Sequence, residues 1–195
     1  MQNIQLAPPG AGLPKFQTFI LRYLLVPRWS KKFSWEKNVQ WLEKENGKIL
    51  QLLRHVPDWE TKVLIPPIPG LEDSSRNWSI SETLDHMAIV GENILFALEW
   101  MKEGKIPPQQ ASIAAMKPKN EGKADERRKR YLSFSESGPE KLRALSSLED
   151  SKLTYDHPWF GPLTPRQWTW LMATHQGIHK KQLELILSNL AYLIE

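Results

Sequence analysis

The chain of 195 residues contains no cysteine. That excludes disulfide staples, cysteine-ligated zinc, iron–sulfur clusters and a cysteine nucleophile. Any metal must be held by His, Asp or Glu, which puts weight on the five histidines, His55, His86, His157, His175 and His179. Long apolar runs are missing too. Phe16–Val26 is broken by Gln17 and Arg22 and is far shorter than the ~20 residues a spanning helix needs, so no membrane partner is expected. The opening MQNIQLAPPGAGL has no basic segment and carries two consecutive prolines. It does not read as a signal peptide, and a cytoplasmic location is expected. Neither a period-2 strand pattern nor an internal repeat is visible.

A charge excess of one sign is also scarce. Lys plus Arg number 26 and Asp plus Glu 22, a balance of +4. The stretch Lys117–Arg130, with seven basic and three acidic residues, supplies all of it. A basic field spread over the molecule, as nucleic-acid binding requires, is therefore not indicated. The run could touch nucleic acid or anionic lipid, but no aromatic interleaves it before Tyr131, and a solvated loop is the simpler reading. No nucleic-acid partner is expected.

What the chain does have is 15 prolines, and helices should fill the gaps between them. The first long gap predicts a helix near Ser34–His55, with Trp35, Val39, Leu42, Ile49, Leu53 and Val56 on one stripe and Asn46 on that same stripe. A second is predicted near Ser79–Glu103. Ser79 and Glu82 fit a capping box, Ile80, Leu84, Met87, Gly91, Ile94, Leu98 and Met101 form its seam, and Gly104 stops it. Residues 105–136 read as a polar excursion with a helical turn or two around Asp125–Leu132. A third helix is predicted for Pro139–Leu148, with the proline at its first position. The last should run from Thr164-Pro165-Arg166-Gln167 to about Leu190. A short outer helix is expected at 14–26. The expected fold is all-α, a four-helix bundle over residues 32–195, preceded by an N-terminal arm, 1–31, and carrying a long basic loop.

His175 and His179 stand four apart, so both project from one side of the last helix. With Gln182 one turn on, three polar side chains enter an otherwise apolar stripe, and buried polar groups need partners. One reading is satisfied interior histidines. The other is a pair of ligands to one metal, with His86 on the second helix as the third. Three neutral imidazoles without a carboxylate would leave an open coordination position and lower the pKa of a bound water toward ~7. Gln182 or Asn93 could hold a ligand ring or a substrate by hydrogen bonds. Gln176 replaces the glutamate that an HExxH zinc protease would require.

The segments NWSISETLDH (Asn77–His86) and THQGIHKKQ (Thr174–Gln182) resemble the DinB-like family of metal-binding four-helix bundles. Trp78, Ser79, His86, His175, His179 and Gln182 match its pattern. His157-Pro158-Trp159-Phe160-Gly161-Pro162-Leu163-Thr164 is similar to the lead-in to the last helix in one branch of that family. The resemblance covers roughly residues 32–190; the basic excursion and the apolar N-terminal segment depart from it. It implies a divalent metal on His86, His175 and His179. It also implies chemistry of the kinds found among relatives: transfer by low-molecular-weight thiols, maleylpyruvate isomerisation, or metal-dependent hydrolysis. Any thiol must come from outside, since the chain has none. Three imidazoles suit Zn, Ni or Fe alike.

The remaining candidates divide between function and packing. His157 reads as a fourth ligand, a proton shuttle, or a loop histidine bonded to backbone, and His55 as a helix C-terminal residue. Nine tryptophans are many for this length. Trp78, Trp168 and Trp170 read as core anchors, and Trp159 as part of a pocket for a small-molecule substrate. Trp29, Trp35 and Trp41 are expected to pack the first helix. The segment 16–26 would cover a homodimer partner or pack on its own chain. Three functions compete: a metal-dependent transferase or hydrolase, a metal-binding or stress-response module without turnover, and a nucleic-acid- or membrane-associated helical protein.

Overall fold

The computed structural model describes residues 5–8, 10–118 and 122–194. The first four residues of the arm and 119–121 of the basic run lie outside the described residues, as does the side chain of Trp29. Four long helices make the body: α3, Trp35–Leu52; α4, Ile80–Lys102; α5, Ala124–Ala144; and α6, Pro165–Ile194. Ahead of them, α1 (Lys15–Ile20) runs through a π-helical turn (Leu21–Leu25) into α2 (Val26–Lys32). The outer helix thus continues beyond the expected 14–26. No described helix is long and apolar enough to cross a membrane.

The helix ends follow from local chemistry. Ser34 caps α3 by accepting from the Lys37 N–H. Ser79 and Glu82 form the full capping box of α4: the hydroxyl accepts from the Glu82 N–H, and the carboxylate from the Ser79 N–H. After α4 the chain turns at Gly104, whose φ of 71° places it in the left-handed region glycine favours. Gln167 reaches back to accept the Thr164 N–H at the start of α6.

Around the bundle α6 lies between α3 and α4, and α5 lies between them on the other side, so α3 and α4 are diagonal to each other. Trp35, Val39, Leu42 and Ile49 of α3 meet Leu84, Met87 and Leu98 of α4, Tyr131, Phe134 and Leu142 of α5, and Met172, Leu183 and Ile186 of α6 in one buried core. A two-stranded antiparallel hairpin, β1 (Tyr155–His157) and β2 (Gly161–Leu163), leads into α6, pairing Tyr155 with Leu163 and His157 with Gly161. Its strands are too short to show a period in the sequence.

Two expectations are corrected. The third helix does not begin at Pro139; it begins at Ala124, and the proline sits inside it. The basic run is not a long loop either. Its second half forms the first turns of α5, and Lys117 is largely buried in an ion pair with Glu72. The proline is tolerated for two reasons. Gly138 before it has no Cβ to clash with the ring. The Ser135 carbonyl, which a residue-139 N–H would otherwise fill, instead accepts from Asn46 Nδ2 of α3 at 3.1 Å.

Candidate metal centre

His86 stands on α4, and His175 and His179 stand one turn apart on α6. Packing of α4 on α6 brings one potential ligand nitrogen from each ring to within 4.8 Å of the others. The ring centroids lie 4.9 Å apart for His86 and His175, 4.7 Å for His86 and His179, and 4.3 Å for His175 and His179. Trp78 closes one side, edge-on to His86 at 5.0 Å and parallel to His179 at 6.2 Å. The sequence marks this tryptophan as a core anchor and as part of the DinB-like pattern, not as a wall of the histidine cluster.

Hydrogen bonds fix the tautomers of two rings. His86 Nδ1–H donates to the Met116 carbonyl at 2.6 Å; an oxygen that can only accept requires the proton on Nδ1, so Nε2 of the neutral ring carries a bare lone pair. His179 Nδ1–H donates to Gln182 Oε1 at 2.7 Å, and Gln182 Nε2 donates to the Ser75 carbonyl at 2.7 Å. The carbonyl orients the amide and the amide orients the ring, again leaving Nε2 bare. His86 Nε2 lies 3.1 Å from His175 Nε2, and His175 Nδ1 is buried without a hydrogen-bond partner among the described residues.

Burial holds all three rings neutral. It pushes His86 down to about 4 and keeps His175 and His179 well below the ordinary histidine range, with the neighbouring imidazoles adding to the effect. Neutral imidazoles whose bare nitrogens converge in a buried space are a donor set that a divalent cation satisfies. The residues present therefore fit the metal implied by the sequence resemblance.

The main-chain oxygens that aim the rings come from loops that are themselves clamped. Lys117, next to Met116, pairs with Glu72 and donates to the hydroxyls of Ser74 and Ser75. Its ammonium also lies 5.0 Å from the Trp78 ring centroid. Glu72 further accepts the Gly12 N–H of the arm. Burial disfavours the charged carboxylate, yet the Lys117 ammonium and the Gly12 N–H hold it below the ordinary range. Nothing in the sequence marks Glu72, Ser75 or Met116, and Lys117 is marked only as the start of the basic run, because two of the four act through backbone and two through a contact 45 residues apart.

A cavity of about 610 Å³ adjoins the histidines and is walled mainly by apolar groups, among them Leu13 and Ile20 of the arm, Ile94 of α4, and Trp168 and Trp170 of α6. His157, Trp159 and Asn93 also line it. Asn93 Nδ2 is tied to the Ile89 carbonyl of its own helix. Gln182 is buried behind His179 and orients that ring; it does not line the cavity. His55 lies in the turn after α3, away from the cluster.

The sequence profile of the DinB family matches residues 30–191, a span holding α3, α4, α5, all but the end of α6, and all three histidines. The chain belongs to the DinB family. The arm before residue 30, which walls the cavity, lies outside the match. Among solved structures, that of TT2238, described as a four-helix bundle protein, is similar with a TM-score of 0.51. Identity is 19%, and the alignment covers 77% of this chain and 98% of that one. At that identity the likeness bears on the DinB fold alone. No curated protein matches the chain.

Proposed function

We propose that this DinB-family protein is a metal-dependent enzyme in which His86, His175 and His179 hold a divalent ion and the adjoining cavity receives a small, largely apolar substrate. The carrying observation is the pair of tautomer-fixed rings, His86 and His179, whose bare Nε2 atoms turn toward the same buried space as His175. A divalent ion there would supply Lewis acidity, polarising a carbonyl or favouring the thiolate of an added thiol. The protein's own groups do the rest: Gln182 and the Met116 carbonyl aim the rings, Trp78 keeps water from one side, and the apolar walls hold the substrate.

Transfer by a low-molecular-weight thiol is the favoured reaction, with hydrolysis second. Glu72, the acidic residue of the described cavity lining, is committed to Lys117, Ser74 and Gly12 and is not free to act as a base on water. A thiol is far more acidic than water, so near a bound cation it would give up its proton to solvent without such a base.

The test is elemental analysis of untagged protein, followed by assay with a panel of thiols and electrophiles. We expect about one equivalent of a divalent metal in the wild type and its loss in His175→Ala and His179→Ala. Full occupancy in both variants would overturn the ligand assignment. A metal-loaded protein inert toward every thiol but active on esters or amides would shift the reading to hydrolysis.

A further inference from the structure

His157 is not one of the clustered ligands, yet its ring lines the same cavity. Its Nδ1 accepts two main-chain hydrogen bonds, from the Trp159 N–H at 3.1 Å and the Phe160 N–H at 3.4 Å. Both demand a lone pair on Nδ1, so the single proton of the neutral ring must sit on Nε2, at the far edge. The ring cannot swivel: it stacks on Phe160 at 4.4 Å with planes 15° apart, and Trp159 and Trp168 flank it at 5.9 and 5.5 Å. Burial pushes its pKa down to about 3, so the neutral tautomer persists at every physiological pH. The Nε2–H has no hydrogen-bond partner among the described residues. The ring thus carries a fixed, unpartnered N–H on the residue that lines the mainly apolar cavity, and a bound molecule with an acceptor oxygen gains a hydrogen bond there that a hydrocarbon does not.

We propose that His157 is a substrate-binding donor, and that the molecule taken by the cavity is an apolar compound bearing a carbonyl-type oxygen, which accepts a hydrogen bond from His157 Nε2–H. This rests on the reading of the cavity as the substrate chamber. The donor selects for acceptor oxygens and against hydrocarbons of the same shape. A charged histidine would instead favour anions, and burial forbids that form. The hairpin is the device that sets this up: the φ of 72° at Gly161 turns the chain so that Trp159 and Phe160 present their N–H groups to the ring two and three residues behind.

Asparagine separates the two duties of this side chain. Its Oδ1 falls where histidine Nδ1 lies and can accept the same two N–H groups, but it is too short to place a donor where Nε2 was. Binding of 2-acetylnaphthalene and of 2-isopropylnaphthalene is measured by quenching of tryptophan fluorescence, in wild type and His157→Asn. We expect the wild type to prefer the ketone by roughly 3- to 10-fold, and H157N to lose that preference while binding the hydrocarbon as before. An unchanged ketone-to-hydrocarbon ratio in H157N, or no binding of either probe by the wild type, overturns the proposal. Metal content of the same samples is read separately. Metal without ketone preference sinks the donor and spares the metal centre; ketone preference without metal does the reverse.

Discussion

Gln182 makes two hydrogen bonds in opposite directions, and both matter because every partner is buried. Its amide N–H fills the Ser75 carbonyl and its oxygen fixes His179. Gln182→Ala would leave one acceptor and one ring nitrogen without partners, each costing about 1–3 kcal/mol. It would also free His179 to take the other tautomer, which places a proton on the ligating nitrogen. Metal affinity should fall about 10- to 100-fold, read by chelator competition, with a lower unfolding midpoint in denaturant. Glu in place of Gln would keep the acceptor but lose the donor to Ser75, and should retain more metal affinity than Ala. At this scale the sequence was informative where chemistry resides in side chains. His175, His179 and Gln182 stood out because polar residues enter an apolar stripe of the last helix, whereas His86 stood out mainly through the resemblance of its segment to the DinB-like pattern. The Ser75 and Met116 carbonyls left no trace, since any residue type supplies a carbonyl. His157 was legible as a histidine bonded to backbone, but its free far nitrogen depends on which face of the hairpin meets the cavity.

At the scale of elements, α5 shows how a local rule is overridden by a single tertiary contact. Proline inside a helix ordinarily costs about 3 kcal/mol or more, partly through the carbonyl it orphans. Here Asn46, a polar residue on the buried stripe of α3, donates to that carbonyl. The stripe marks Asn46 as unusual, but nothing in the chain says that its partner lies 89 residues away. By contrast α3, α4 and α6 carry caps at their starts and long, mainly apolar stripes, so their positions could be read from sequence to within a few residues. The contact makes a double-mutant cycle informative. Asn46→Ala should destabilise by about 1–3 kcal/mol, because the Ser135 carbonyl is then buried and unfilled. Pro139→Ala restores an N–H for that carbonyl, so the Asn46→Ala loss should be markedly smaller in the Pro139→Ala background. Urea unfolding of the four proteins gives the coupling directly. Equal losses in both backgrounds would mean that Asn46 matters for some other contact, such as its long approach to the Tyr131 hydroxyl.

For the molecule as a whole, the bundle, the arm and the hairpin together bury four histidines that model peptides would show titrating near 6.5. Stability must therefore depend on pH, and the sign follows from proton counts. Folded His86 and His157 have pKa values pushed down to about 4 and about 3, so between those values and 6.5 the unfolded chain binds protons that the folded chain refuses. Their contribution is complete above pH 6.5 and is lost as pH falls from there through the folded values. From pH 6.5 to 5 each costs about 1.5 kcal/mol, and His175 and His179 act in the same direction. The carboxylates held low by ion pairs and hydrogen bonds, Glu43, Asp58, Glu72 and Asp73, start from 4.5 or 3.8 and mainly lose their contribution below that window. Mild acid thus isolates the histidines. In chelator, the free energy of unfolding in urea should fall steeply between pH 6.5 and 5, and His157→Asn should remove about 1.5 kcal/mol of that fall. Added divalent metal should raise stability most near neutral pH and progressively less in acid, because protons in the unfolded chain and metal in the folded one compete for the same nitrogens. A flat profile in chelator over that window would mean that the rings are hydrated in solution, and the burial assigned to them would have to be given up.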